Sequence, residues 1–338
     1  MKTALIGLGR IGWQFHLNEI INHKEYNLCA VVDTSLDRLK EAKDLYGVNG
    51  YTDYKEMLNT EKPDLTVIAS PTIFHEEQAI KAMESGSDVI LDKPMAQSEA
   101  AAKRIAEVHK ATGKKLIIYQ PHRFTAEAVV AKNIIQSGKL GPIFDIKRTC
   151  VGYSRRNDWQ AFKDLGGGMM NNYGAHYIDQ LIYITNEKVI DSYCIMNTVA
   201  TLGDAEDVVK LVMKTDKNTI LDIDISQASA LGLPMFMIFG KYGAATLVSD
   251  HNGLNFKLRY FNPNDIPDKQ VSRKMEAEGR AYPSEQINWT DETILVKPEL
   301  ARDFYAECYK YFSGQTPSPI PVEETLEVMR IIELNKNA

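Results

Sequence analysis

Cysteine is scarce and unclustered in this chain. Cys29, Cys150, Cys194 and Cys308 stand far apart with no CxxC pair, so neither a zinc frame nor a disulfide scaffold is expected, and the thiols read as reduced and packed in a cytoplasmic protein. No apolar run approaches the ~20 residues of a membrane-spanning helix. No secretory leader is expected either: MKTALIGLGRIG has one lysine, a short apolar run and glycines where a cleavage site would stand. Positive charge is not in excess, and a formal charge of −6 argues against a nucleic-acid partner. Repeats and low-complexity tracts are absent. What is present is 338 residues, 44% hydrophobic and 25% charged, the make-up of a globular protein of about two domains.

From Lys2 to about Gln120, the apolar runs TALIG, NLCAVVD, LTVIAS, DVILD and KLIIY alternate with segments of helical spacing such as SLDRLKEAKDLYG and HEEQAIKAMESG. Short buried strands alternating with helices predict a parallel sheet covered on both faces. Right-handed crossovers then give a doubly wound α/β fold. The first turn, GLGRIG, has the spacing of a pyrophosphate cradle. Gly7 permits a tight turn, Gly9 lets backbone approach the phosphates, and Gly12 lets the helix pack close to its strand. Arg10 and Ile11 complete that turn. Asp33 stands 21 residues after Gly12 at the end of NLCAVVD, where a carboxylate bonds a ribose diol and repels a 2′-phosphate. The expected cofactor is therefore NAD in preference to NADP. Two further loops fall at carboxyl ends of strands, Ser70-Pro71-Thr72 with His75, and Asp92-Lys93-Pro94. With Gln120 at the end of KLIIY, these residues make up the expected cofactor contacts.

After residue 140 the runs IFDIKRTCVGY, VIDSYCIMNTVA, DVVKLVMKT, TILDIDISQA, FMIFG, AATLVS and LNFKLRY are joined by short turns, which suggests a meander. The segments DFYAECYKYFSG and EETLEVMRIIELN read as helices, and the polar stretch 262–284 as a long loop. A wide sheet left bare on one face would pair with another subunit.

Taken together, GLGRIG with Asp33, ASPTIFH, DKP at 92–94, HRF at 122–124, the GGG…GAHYID segment and EETLEVMRII resemble the Gfo/Idh/MocA family, the glucose–fructose oxidoreductase and inositol dehydrogenase group. The likeness covers essentially the whole chain; the family's usual EKP appears as DKP, retaining Lys93. It implies an NAD-binding Rossmann domain, here residues 1–120. A substrate-binding and oligomerisation domain follows over 121–338, an α/β domain on a large open, mostly antiparallel sheet. The C-terminal helices are expected to pack back on the first domain, and a homodimer or homotetramer is expected to form through the second-domain sheet.

The resemblance also implies that Lys93 and His176 meet at the nicotinamide. Hydride loss from a carbinol requires its hydroxyl to lose a proton, which a histidine is suited to take. A nearby ammonium would stabilise the developing alkoxide. His176 is thus expected as the acid/base and Lys93 as its electrostatic partner. By itself the segment LGGGMMNNYGAHYIDQL also allows a helix histidine satisfied by Asp179 at i+3. Many family members have aspartate four residues before the histidine; this chain has Asn172, which orients groups by hydrogen bonds but adds no charge. Asp179 is then a candidate for the missing charge. The preceding segment GYSRRNDWQAFKDLGGG holds Tyr153, Arg155, Arg156, Asp158 and Trp159, of which Tyr153 and Trp159 are candidates to grip a polyhydroxylated substrate beside Lys93, Asn172 and His176. Arg123 and Arg148 are further candidates, with an ion-pair role open for Arg123. His16, His23, His109 and His251 read as surface or packing residues, and no metal site is expected.

These residues favour an NAD-dependent oxidoreductase acting on a sugar, sugar derivative or cyclitol. Two alternatives belong beside it. One is a glycoside hydrolase that oxidises a ring hydroxyl transiently, with Tyr173 or Tyr177 as a candidate added base. The other is a non-catalytic sensor of dinucleotide or sugar.

Overall fold

The computed structural model describes residues 1–251, 253–266, 273 and 285–336. Its first sheet contains β1 (Lys2–Ile6), β2 (Asn27–Val32), β3 (Asn49–Tyr51), β4 (Leu65–Ile68), β5 (Asp88–Leu91) and β6 (Leu116–Ile118). The strand order is β3-β2-β1-β4-β5-β6, with every pairing parallel. The order reverses between β2-β1 and β4, which opens a crevice at the carboxyl ends of these strands. All four residues of β4 are buried, as a strand covered on both faces requires.

The connecting helices are α1 (Asn18–Asn22), α2 (Leu36–Tyr46), α3 (Tyr54–Glu61), α4 (His75–Glu84) and α5 (Glu99–Thr112). Local chemistry marks their ends. Ser35, Asp53 and Ser98 cap the N-termini of α2, α3 and α5 through side-chain oxygens, and Gly47 and Gly113 take left-handed backbone just past α2 and α5. Side chains of β1 alternate between the two cores. Ala4 and Ile6 pack with α3, α4 and α5, whereas Leu5 packs with α1 and α2.

The second sheet contains β7 (Ile143–Val151), β8 (Val189–Asn197), β9 (Val208–Thr215), β10 (Ile220–Ser226), β11 (Phe236–Gly240), β12 (Gly243–Asp250), β13 (Gly253–Tyr260) and β14 (Thr290–Leu295). Its order is β14-β13-β12-β11-β7-β10-β9-β8. Its pairings are antiparallel except β7 with β10. The sheet is thus not a simple meander: the chain leaves β7, crosses over through a helix, forms β8 and β9, and returns beside β7, the long connection that parallel pairing needs. Helices α6 (Ala126–Gln136) and α7 (Ala175–Thr185) cover its inner face over Ile146, Leu211, Ile223 and Phe236. Its outer face exposes Tyr193, Ile195, Val212 and Ile220 beside the ion pairs Lys147–Asp222 and Lys210–Asp224.

The last two helices pack back on the first domain, and the second of them on the other sheet as well. Phe304, Tyr305, Cys308 and Phe312 of α8 (Phe304–Phe312) complete the nucleotide-domain core on the α1–α2 side. In α9 (Val322–Leu334), Val322 and Met329 enter the first domain's core while Val328, Ile331 and Ile332 enter the second's. Residues 267–272 and 274–284, most of the stretch expected as a long loop, lie outside the described residues. Among the described residues no helix is long and apolar enough to cross a membrane.

Arg123 lies under this junction, and its candidacy as a substrate ligand is corrected here. It is buried, donates from Nε and Nη2 to both Asp179 oxygens at 2.6 Å, and lies 2.6 Å from Glu324 Oε2 through Nη1. The pair joins the segment after β6 to α7, and Glu324 adds α9. Arg123→Met, which strands the Asp179 carboxylate, should lower the unfolding free energy by about 3–5 kcal/mol, measured by denaturant titration. A loss under about 1 kcal/mol would mean that Asp179 finds another donor.

Candidate active site

The glycine turn is tight and closely packed on two sides and open on the third. Gly7 has φ +94°, and a Cβ there would lie 2.7 Å from the Ala69 carbonyl oxygen. A Cβ on Gly12 would collide with the Gly7 carbonyl, so the helix sits hard against the turn. At Gly9 a Cβ would meet no atom within 4 Å; that side of the turn is open, as an approaching pyrophosphate requires. Asp33 Oδ2 accepts from Leu8 N at 2.8 Å and Oδ1 from Ser35 N at 2.9 Å. The carboxylate expected at the ribose therefore also pins the turn, with Arg38 Nη1 3.4 Å away.

The other two loops are fastened to each other. His75 is buried, with Nε2 2.9 Å from the Ser70 carbonyl and Nδ1 3.0 Å from that of Pro94. Burial holds its pKa below the ordinary histidine value. The His75 ring, expected at the cofactor, lies between the carbonyls of the β4 loop and the Lys93 loop, and in its neutral form it donates to one of the two. Ser70 Oγ donates to Gln78 at 2.6 Å, and Thr72 is buried at the foot of α4. Asp92 is buried and accepts from Lys93 N at 2.7 Å, and the Lys93–Pro94 peptide is cis.

Lys93 reaches across to the second domain. Its Nζ donates to Asn172 Oδ1 at 2.9 Å and to the Asn172 carbonyl at 3.0 Å. Although Lys93 keeps part of its surface exposed, the surrounding protein lowers its pKa to about 8, chiefly by burial. Asp92 opposes the shift, and the charges of Arg156 and Arg10 add to it.

The glycine-rich segment sets the other half of the pair. Gly168 has φ +100°, and a Cβ there would strike the Glu206 carboxylate, which accepts from Met170 N at 3.0 Å. Asn171 Nδ2 donates back to the Gly166 and Gly167 carbonyls. From this anchored loop a π-helical turn, Met170–Gly174, leads into α7; such turns re-aim side chains and recur at functional sites.

His176 is buried, and its Nδ1 lies 2.7 Å from Gln120 Oε1. Gln120 Nε2 donates to the Ala175 carbonyl at 3.3 Å, which orients the amide. Nδ1 must then carry the proton, leaving Nε2 as a bare acceptor. Burial, then the charge of Lys93, then His122 hold the His176 pKa well below its ordinary value. Gln120, expected at the cofactor, is buried with its side-chain amide turned to His176 and the Ala175 carbonyl. Asp179 does not hold His176 and cannot lend it charge, since Arg123 occupies both its oxygens.

His122 had no role assigned from the sequence beyond its place in HRF. Its ring stacks on His176 at 4.2 Å and 21°, and its Nδ1 is buried without a partner. Burial, Arg148 and Lys93 push its pKa down to about 4. Its position two residues beyond Gln120 at the end of β6 is the one signal that placed it near the crevice. Tyr177 is buried with its pKa pushed far up by burial, so it is no ready base, and burial raises Tyr173 as well. Tyr153 and Trp159 remain exposed, and no hydrogen bond joins either side chain to Lys93 or His176. His16 bonds Tyr305, His23 bonds Asp303 and His109 bonds the Lys114 carbonyl, all packing contacts. A cavity of about 770 Å³ is bordered by Thr72, Pro94, Met170 and Asn171, but neither Lys93 nor His176 lines it.

A doubly wound sheet with an open glycine turn, an acidic residue ending β2 and a lysine ending β5 defines a dinucleotide-binding oxidoreductase. Residues 1–120 match the model of the oxidoreductase family with an NAD-binding Rossmann fold, and residues 129–246 match the GFO/IDH/MocA C-terminal domain. The chain belongs to the Gfo/Idh/MocA oxidoreductase family. It is 27% identical over 196 residues to D-glucoside 3-dehydrogenase of Escherichia coli, covering 57% of this chain and 56% of that one. It is 29% identical over 145 residues to inositol 2-dehydrogenase of Salmonella paratyphi B, covering 42% and 43%. The chain thus spans about half the length of these curated relatives. An NAD-binding protein from Listeria innocua shares the fold, with a TM-score of 0.83 at 22% identity over 100% of this chain and 94% of that one.

Gly9→Ala should fold as stably as the parent, because its Cβ meets nothing, yet weaken NAD binding at least about tenfold by filling the phosphate approach. Thermal unfolding and NAD titration check both halves; unaltered NAD affinity would remove the turn from the binding site.

Proposed function

We propose that the protein is an NAD-dependent dehydrogenase moving hydride between nicotinamide and a hydroxyl-bearing carbon of a sugar, sugar derivative or cyclitol. The observation that carries this is the meeting of Lys93, from the end of β5, with Asn172 and His176, from the second domain, beside an open dinucleotide turn. The names of the D-glucoside and inositol relatives support the substrate class. Bound NAD supplies the hydride acceptor or donor, held by the Gly7–Gly12 turn, Asp33 and the Ser70–Thr72 and Asp92–Lys93 loops.

The residues of the chain handle the proton. His176, kept neutral by burial, takes the hydroxyl proton at Nε2 while Gln120 retains Nδ1–H. In the reverse direction the imidazolium returns it. Lys93, aimed by the two Asn172 oxygens, donates to the same hydroxyl oxygen and stabilises negative charge as it develops. Asn172 acts as an aiming device, and the charge at the site rests on Lys93. The same reading includes a homodimer or homotetramer formed through the outer sheet face, where Tyr193, Ile195, Val212 and Ile220 are exposed.

Lys93→Ala should lower kcat by about 10²–10³, measured by NADH formation over a panel of aldoses, inositols and sugar acids, while the glycine turn and Asp33 retain most of the NAD affinity, measured by NAD titration. Because the cationic form of Lys93 is required, kcat/KM for oxidation should fall as pH rises through about 8. On the acid side it should fall only well below pH 6.5, where His176 takes up its proton. Lys93→Arg should preserve the alkaline rate. A rate that climbs through pH 8 in the parent would instead make Lys93 the proton acceptor.

A further inference from the structure

Arg148, on β7, is a buried guanidinium whose charge has no carboxylate partner. Its Nε donates to Gln180 Oε1 at 2.8 Å, and Nη1 to the carbonyls of Thr149 and Met235 at 3.1 and 3.0 Å. All three acceptors are neutral. Among the described residues no carboxylate lies in ion-pair range of it, and its Nη2 donates no hydrogen bond. Buried charges are ordinarily paired, because leaving one alone costs several kcal/mol. Arg123, the other buried guanidinium among the described residues, follows that rule with Asp179 and Glu324. Arg148 does not.

Its surroundings are those of the active site. The guanidinium lies 4.1 Å from the Tyr177 ring, and Tyr177 meets the edge of His122, which stacks on His176. Gln180, which accepts from Arg148, donates through Nε2 to the His122 carbonyl at 2.6 Å. A second arginine, Arg156, is largely covered, its Nε 3.1 Å from Asp158. Its field reaches both Lys93 and Tyr173, and that of Arg148 reaches Tyr173 and His122. Among the described residues, the carboxylates set against Lys93 and Arg156 are those of Asp92 and Asp158, and none is set against Arg148. Asn172 adds no negative charge, and both histidines are neutral. Arg10 belongs to the glycine turn and is left to the cofactor.

We propose that the substrate of this site is a carboxylated polyol, a sugar acid or acidic cyclitol derivative whose carboxylate supplies the counter-ion missing at Arg148, with Arg156 lending further positive charge. A carboxylate suits a planar guanidinium better than a hydroxyl does, because both are flat forks and the bond is charge-assisted. Arg148 and Arg156 then act in binding and selectivity, and Lys93 and His176 in the proton and charge chemistry. This inference rests on the dehydrogenase reading only for the identity of the site.

The test reads binding and turnover separately on the full-length protein saturated with NAD. Calorimetric titration compares neutral aldoses and inositols with the matching aldonates and uronates, and with the sugar 6-phosphates. At least one acid should bind about tenfold or more tightly than its neutral parent. That ratio should collapse toward one in Arg156→Met and in Arg148→Met. Arg156→Met serves if the more deeply buried variant fails to fold. Equal affinity for acid and parent, binding of no acid at all, a preference for the phosphate esters, or an acid preference that survives in every variant that folds would each overturn the proposal. NADH formation on the same panel, with Lys93→Ala as control, separates the two readings. Lys93-dependent oxidation of neutral sugars without acid preference would sink the carboxylate and keep the dehydrogenase. Arginine-dependent acid binding that yields no NADH would do the reverse.

Discussion

Two bonds of equal sequence separation organise this molecule. Gln120 meets His176 and Arg123 meets Asp179, each across 56 residues. His176, which donates to Gln120, and Asp179, which accepts from Arg123, are one helical turn apart on α7, so a single face of that helix docks on the segment leaving β6. The Arg123 rung is buried and doubly bonded, and it makes the register of the Gln120 rung unambiguous. Without that registration His176 would have no reason to present one nitrogen and not the other to the crevice. The carbonyl of His122 between the rungs is also taken, by Gln180.

The electrostatics follow from this docking. Burial against Gln120 and His122 discourages the imidazolium, and the ammonium of Lys93 discourages it further. The same crowding lowers Lys93, which is aimed by a neutral amide and steadied by Asp92 alone. A neutral acceptor beside a poised cation is the arrangement that the proposed proton removal needs. His75 contributes at a distance by joining the loops after β4 and β5, so Lys93 is held by the nucleotide domain and read by the second.

Much of this was legible in the chain because it is encoded locally. GLGRIG and the acid ending the next strand lie within one βαβ unit, and the tight backbone at Gly7, the close packing at Gly12 and the open space at Gly9 follow from that local spacing. The six-stranded parallel sheet and the end position of Lys93 follow from alternating strand and helix patterns. What was not legible depends on distant partners. Nothing near Gln120 or His75 distinguishes a cofactor ligand from a residue that braces another side chain. Arg123 reads equally as a pocket base or half of a buried pair until Asp179 is found opposite it. The parallel pairing of β7 with β10 was hidden for another reason: alternating strands bury the same face whichever way they run.

The proposed proton transfer depends on the protonation of one ring. Nitrogen-15 NMR of histidine-labelled protein, with His176 assigned by comparison with His176→Gln, reads that state directly at neutral pH. The account predicts a neutral imidazole with the proton on Nδ1, and loss of that tautomer preference in Gln120→Leu. A proton on Nε2, or an imidazolium at neutral pH, would contradict it, because His176 would then have no lone pair to offer a hydroxyl.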